Sequence, residues 1–280
     1  MLASDDIDRI RRLARAVAEA DGEDPLNEAA TLALNADDPA VDHHLLRDGD
    51  DLLGYAQSNA QHGTAQLFVD PQHRRRRRGT TLLQKVSGFS VWAFGDLPAA
   101  RGFAAARGLV ERRRLLVLER ALEPPSGVVD QGVRPFDPAT ESEELLAVNA
   151  AAFDWHPEQR YFSRADLDAR LAEDWFDPAG LLVTSDDQGL TGFHWTRRHE
   201  NGRGEVYILA IHPRAQGAGL GGRLLTAGLD HLASTGSTSV HLYVEAANAR
   251  AVELYERAGF AVVHGDVLYG PTDEPSEEQR

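Results

Sequence analysis

The chain has 280 residues, 42% of them apolar and 26% charged, a composition that excludes a fibrous or largely disordered protein and supplies apolar side chains for two cores or one large one. With 29 basic against 44 acidic residues the net charge is -15, which repels the phosphate backbone that dominates nucleic-acid affinity. No cysteine is present, so disulfides, thiolate metal sites and thiol nucleophiles are ruled out, and no stretch is apolar enough for a membrane span or a signal peptide. A cytoplasmic monomer is expected.

From the N-terminus, residues 1–20 alternate acids with arginines. A strand is expected over Ala65, Gln66, Leu67, Phe68 and Val69, followed by Asp70-Pro71, an arginine run at 74–78 and a helix entered at Thr81-Leu82-Leu83. A helix closed by Gly108-Leu109 and a strand through Leu115, Leu116, Val117 and Leu118 complete the first half. Two prolines and a glycine at 123–127 mark a boundary, giving domains 1–125 and 126–280. The second half repeats the order: strand Glu205, Val206, Tyr207, Ile208, Leu209, Ala210, Ile211, then His212-Pro213, a glycine loop, a helix through Leu224-Leu225, and a helix closed by Gly259-Phe260. The proline stands eleven residues before the Leu-Leu pair in both halves, so a duplicated α/β unit is the simplest account. The polar stretch 271–280 is expected to fray. Net charge is -2 over the first half and -13 over the second, which favours a cationic ligand for the second.

The loop Gln216, Gly217, Ala218, Gly219, Leu220, Gly221, Gly222 joins a strand to a helix, so its N–H groups converge on an anion with no Cβ in the way. Gly217, Gly219 and Gly222 also satisfy the dinucleotide pattern G-x-G-x-x-G, but five residues separate the strand from the first glycine and only about sixty follow, which argues against that fold. An unliganded glycine turn remains the plain alternative. None of the 11 histidines forms H-E-x-x-H, no G-x-S-x-G occurs, and no metal site is expected.

Gln216-x-x-Gly219-x-Gly221 resembles the pyrophosphate loop of the GNAT acetyltransferase superfamily. Thirty-two residues on, Asn248-Ala249-Arg250-Ala251-Val252-Glu253-Leu254-Tyr255-Glu256-Arg257-Ala258-Gly259-Phe260 resembles the Asn-x-x-Ala-x-x-x-Tyr-x-x-x-Gly-Phe segment of the same enzymes. The tandem halves, with Asn149-Ala150-Ala151-Ala152-Phe153, His156-Pro157-Glu158-Gln159 and Gly192-Phe193-His194-Trp195-Thr196, are similar to the mycothiol acetyltransferase family within it. The resemblance implies two tandem GNAT-type domains of α/β (α+β) class, each a mixed, mostly antiparallel sheet flanked by helices. It implies acetyl transfer from acetyl-CoA to the cysteinyl amine of Cys-GlcN-Ins, the last step of mycothiol biosynthesis, with cofactor contacts at Leu209, Ala210 and Ile211, at 216–222 and at 248–253.

Transfer from a thioester to an amine needs a neutral amine, a hydrogen-bond donor for the carbonyl oxygen and a proton for the departing thiolate. Glu205 reads as a water-relayed base or as a solvated strand-start carboxylate, with alternation placing Glu205, Tyr207 and Leu209 on one face. Leu209 is expected to offer its main-chain N–H. Tyr255 lies two helical turns after Asn248 and reads as the acid or as a core tyrosine. The resemblance further implies acceptor contacts through Glu28, Glu158, Arg197 and Tyr243, with Arg197 standing where the family usually has lysine. In the first half it implies acetyl-CoA binding without turnover through Leu67, Phe68, Val69, Arg75, Arg76, Arg77, Arg78, Gly79 and Thr80. Alignment there puts Arg77 at the place of Gly219 and Ala104 at that of Tyr255, so the first half lacks the acid. Two other functions share the cofactor residues, a non-catalytic acetyl-CoA sensor and a protein N-terminal acetyltransferase.

Overall fold

The structure, a computed structural model, describes residues 2–127, 130–155 and 162–272. In chain order the first half runs α1 (Ser4–Asp21), α2 (Glu28–Ala33), β1 (Val41–Asp48), β2 (Asp51–Asn59), β3 (Thr64–Val69), α3 (Arg78–Lys85), β4 (Ser90–Ala93), α4 (Pro98–Ala105) and β5 (Leu109–Ala121). The second runs β6 (Arg134–Pro135), α5 (Ser142–Ala152), α6 (Arg164–Leu171), β7 (Leu181–Asp186), β8 (Gly189–Arg198), β9 (Gly204–Ile211), α7 (Leu220–Ser234), β10 (Ser239–Glu245), α8 (Ala249–Arg257) and β11 (Ala261–Pro271). From β1 to β5 and from β7 to β11 the order β-β-β-α-β-α-β is the same, which is the expected duplication.

Two compact units form. The first comprises Met1–Leu115 with His264–Arg280, the second Leu116–Val263. The sequence halves part at 125/126, but the unit boundaries fall inside β5 and β11, two long strands that are each divided between the two units. The fraying expected from 271 meets Pro271 as the last residue of β11, and 273–280 lie outside the described residues.

In the first unit β1, β2 and β3 form an antiparallel meander, β3 pairs β4 in parallel, and β4 pairs β11 antiparallel through Trp92 and Leu268. α1 turns Ile10, Leu13, Ala14 and Val17 inward against Tyr55 and Phe68, with Leu26, Ala30 and Leu34 of the α2 region in the same cluster. Leu82 of α3 packs with Ala56, Val69 and Val91 in another. In the second unit β6, β7, β8 and β9 are antiparallel neighbours and β9 pairs β10 in parallel. Phe193, Trp195, Ile208 and Ala210 pack with Leu145 and Leu167 of α5 and α6; Val206, Val240 and Leu242 pack with Leu225 and Leu229 of α7. Each unit is thus a mixed, mostly antiparallel sheet flanked by helices.

In both units the parallel ladder is short. β3 and β4 pair at Thr64↔Ser90 and Ala65↔Val91, and β9 and β10 at Val240↔Gly204 and His241↔Glu205. Past those pairs the C-terminal ends of β3 and β9 make no ladder bonds along that edge, which frees backbone groups for a ligand.

Candidate active site

β9 ends at Ile211 and the chain turns through a short 3-10 segment at Pro213–Ala215, whose N-cap His212 accepts from Arg214 N with its Nδ1 at 3.2 Å. Gly217 (φ 89°) and Gly219 (φ 77°) are left-handed, and Gly219 caps α7 with no side chain bonded into the first turn. An added Cβ at Gly217, Gly219 or Gly222 would meet nothing within 4 Å. The first N–H groups of a 15-residue helix therefore face open space, the arrangement that binds a diphosphate. Leu209, Ala210 and Ile211 form the end of β9, paired with β8 on one edge and without a ladder partner on the edge toward β10; Gln216 and Ala218 belong to the loop, and Leu220 and Gly221 open α7.

Asn248 caps α8 by accepting from Ala251 N at 3.2 Å, and Ala249, Val252 and Glu253 lie in its first turns. Arg250 Nη1 donates to Gln216 Oε1 at 2.8 Å, while Gln216 Nε2 donates to Ile211 O at 3.2 Å. One glutamine thus ties both motifs to the end of β9. Tyr255 is buried with Leu225, Leu242 and Val244 and meets Phe260 edge-on at 5.8 Å. Burial pushes its phenol well above the usual tyrosine range, so it carries its proton at every working pH.

Glu205 is 7% exposed and its Oε2 lies 2.8 Å from His199 Nε2. The alternation expected from the sequence breaks two residues further on. Trp195 pairs with Ile208 and Thr196 with Val206, so Tyr207 is an extra, bulged residue in β9. The bulge puts Glu205 and Leu209 on opposite faces of the sheet, Leu209 on the α7 side with Val206 and Glu205 on the side of Trp195.

On the Glu205 face Arg197 stacks over Trp175, 4.5 Å from the guanidinium carbon to the ring centroid, and lies 5.8 Å from the Tyr207 ring. Arg170 Nε donates to Tyr207 Oη at 2.7 Å. A flat guanidinium suits that aromatic seat better than a lysine ammonium. His241 of β10 stands beside Glu205, its Nδ1 2.9 Å from Gly204 O, and presents its ring to the edge of Tyr243 at 5.7 Å. Burial lowers the His241 pKa against the pull of the Glu205 carboxylate. Tyr243 is half exposed. Glu158 lies outside the described residues, and Glu28 is the first residue of α2 in the first unit.

The first unit holds a cavity of about 480 Å³, lined by Leu67, Phe68, Val69, Arg75, Arg77, Arg78, Gly79 and Thr80 of the residues expected to meet CoA, though not by Arg76. Arg75 (φ 63°) and Arg77 (φ 62°) are left-handed as Gly217 and Gly219 are, so the loop conformation is the same without the glycines. Arg74 is held by Asp21 through two bonds of 2.7 Å. Ala104 lines the cavity and supplies no acid. Glu205 and Tyr255, the candidates for proton transfer, belong to the second unit and are not among the residues that line this cavity.

Sequence reasoning missed His199, His241, Trp175 and Arg170. No motif marks them, because they reach the site through the β8–β9 hairpin, the β9–β10 ladder and the packing of the α6 region. The pair Arg197-Arg198 before His199 gives no pattern of its own.

The same architecture occurs in a GCN5-related N-acetyltransferase from Sphaerobacter thermophilus, with a TM-score of 0.70 at 22% identity over 98% of this chain and 96% of that one. It occurs again in a tandem GNAT protein from the clavulanic acid biosynthesis pathway, with a TM-score of 0.69 at 17% identity over 98% of both chains. Residues 149–260 match the Acetyltransferase (GNAT) family, and fold, glycine loop and buried tyrosine together define a GNAT-type N-acetyltransferase. Over 290 aligned positions the chain is 43% identical to the mycothiol acetyltransferase of Propionibacterium freudenreichii subsp. shermanii, covering 99% of this chain and 92% of that protein. The chain belongs to the mycothiol acetyltransferase family. Among the described residues no helix is long and apolar enough to cross a membrane.

Proposed function

We propose that the second unit acetylates the cysteinyl amine of Cys-GlcN-Ins, with acetyl-CoA seated at the end of β9, on the glycine loop and along the start of α8. The observation that carries this reading is the open helix N-terminus at Gly219 beside the end of β9 that has no ladder partner on its β10 edge, with a protonated, buried Tyr255 in the same unit. Acetyl-CoA supplies an activated acetyl thioester. Glu205 takes the proton of the acceptor ammonium through water, leaving a neutral nucleophile. As the amine attacks the carbonyl carbon, the Leu209 N–H holds the oxygen that gains charge, a contribution worth about 10² to 10³ in rate. The C–S bond then breaks, Tyr255 gives its proton to the thiolate, and the proton that the nitrogen loses on becoming an amide restores the phenol through solvent. Glu158, Arg197, Tyr243 and Glu28 bind the acceptor, whose ammonium suits the acidic second half.

In this reading the first unit binds acetyl-CoA through its cavity and its left-handed arginines and does no chemistry, since Ala104 stands where an acid is needed. The protein works as a cytoplasmic monomer without a metal in the reaction. The test is CoA release with Cys-GlcN-Ins against a panel of amines and peptides, for wild type and for a folded Glu205→Gln, Tyr255→Phe double variant. Cys-GlcN-Ins is the expected acceptor. Preference for peptide N-termini overturns the acceptor, and substantial turnover in the double variant overturns the assignment of chemistry to the second unit.

A further inference from the structure

Three potential metal donors meet at the end of the second unit's sheet where β9 begins. His199 sits in the turn after β8, its N bonded to Arg203 O at 2.9 Å; Glu205 is the second residue of β9; His241 faces Glu205 across the parallel ladder. One ligand atom from each lies within 4.8 Å of the other two. We propose that His199, Glu205 and His241 bind a divalent cation of the zinc class.

The chemistry of the donors selects the metal. Two imidazole nitrogens with one carboxylate oxygen suit zinc and its transition-metal neighbours, whereas calcium and magnesium require a set made of oxygens. The ring of His241 is already fixed for the purpose. Its Nδ1 lies 2.9 Å from Gly204 O, so that nitrogen carries the hydrogen and Nε2 keeps its lone pair. A carbonyl on the other ring nitrogen is the partner that orients a metal-bound histidine and raises its basicity. At bond lengths of about 2.0–2.1 Å, ligands of a tetrahedral ion stand about 3.4 Å apart, so side-chain rotation of roughly 1 Å closes the site with the strands in place. Glu205 and His241 are buried while His199 is half exposed, which leaves one side open to a fourth, solvent ligand.

A cation there occupies the carboxylate lone pair assigned above to proton abstraction, so it also inhibits turnover; that consequence, unlike the site itself, rests on the reading of Glu205 as base. The full-length protein, stripped with chelator, is titrated with Zn²⁺ by calorimetry and with Co²⁺ by visible absorption, alongside His241→Leu and His199→Gln variants checked for a folded thermal transition. Expected are one equivalent of Zn²⁺, the visible bands of low-coordinate Co²⁺, and affinity at least 100-fold weaker in both variants. Absence of binding, or Zn²⁺ affinity unchanged in the variants, overturns the site. Zn²⁺ that binds through His241 and leaves turnover untouched keeps the site and overturns Glu205 as base.

Discussion

Arg77 and Gly219 hold the same left-handed backbone, at φ 62° and 77°, each as the N-cap of the helix that follows its loop. An arginine pays for that conformation with a clash between Cβ and the carbonyl, about 1–2 kcal/mol, which glycine avoids. Arg77→Gly relieves the clash and loosens the unfolded chain, leaving a net gain of about 0.5–1 kcal/mol. A rise of a few degrees in Tm is expected by calorimetry; a fall means that the Arg77 side chain stabilises the loop by more than its backbone costs. The reverse change, Gly219→Arg, is expected to weaken acetyl-CoA binding in the second unit.

Tyr255→Phe keeps the ring against Phe260 and removes the phenolic proton. Turnover is expected to drop about 10²- to 10⁴-fold with acetyl-CoA affinity little changed. A drop below about threefold in steady-state kcat returns Tyr255 to a packing role.

His194 is fully buried in β8, its Nδ1 2.8 Å from Leu224 O, and burial lowers its pKa to about 4. The folded protein therefore keeps it neutral while the unfolded chain takes a proton below pH of about 6.5. Between those values the unfolded state binds more protons, so this stability is complete above the unfolded pKa and is lost as pH falls toward the folded one. Urea unfolding is expected to show on the order of 2 kcal/mol less stability at pH 5 than at pH 7 from this group, and a shallower slope in His194→Leu. Equal slopes in the two proteins assign the pH dependence to other residues.

Gly228 of α7 lets the helix approach that histidine, since a Cβ on it would lie 2.1 Å from His194 Nδ1. Gly228→Ala is expected to cost about 1–3 kcal/mol, and less than half as much in a His194→Ala background. A neutral Gly228→Ala would mean that α7 shifts away freely.

The strand-loop-helix pattern and both motifs are legible because each is local: glycines are spaced for a turn, and Asn248 and Tyr255 for one helix face. At Asp70-Pro71 and His212-Pro213 the structure adds a 3-10 turn in each half, over Pro71–His73 and Pro213–Ala215, capped by the aspartate or histidine side chain. The face assignment of Leu209 is not legible, because the bulge at Tyr207 depends on pairing with β8 and nothing in the alternation of β9 announces it. His199, Glu205 and His241 converge for the same reason: separations of 6 and 36 residues match no metal motif, and the ladder register supplies what spacing lacks.

The division of β5 and β11 between the units has a consequence during synthesis. The first unit needs residues from 264 onward, among them Leu268, which pairs with Trp92. A ribosome that has released only the N-terminal half exposes a sheet whose β4 edge stays bare until β11 has been translated, after the rest of the second unit, so the unit translated first is the one completed last.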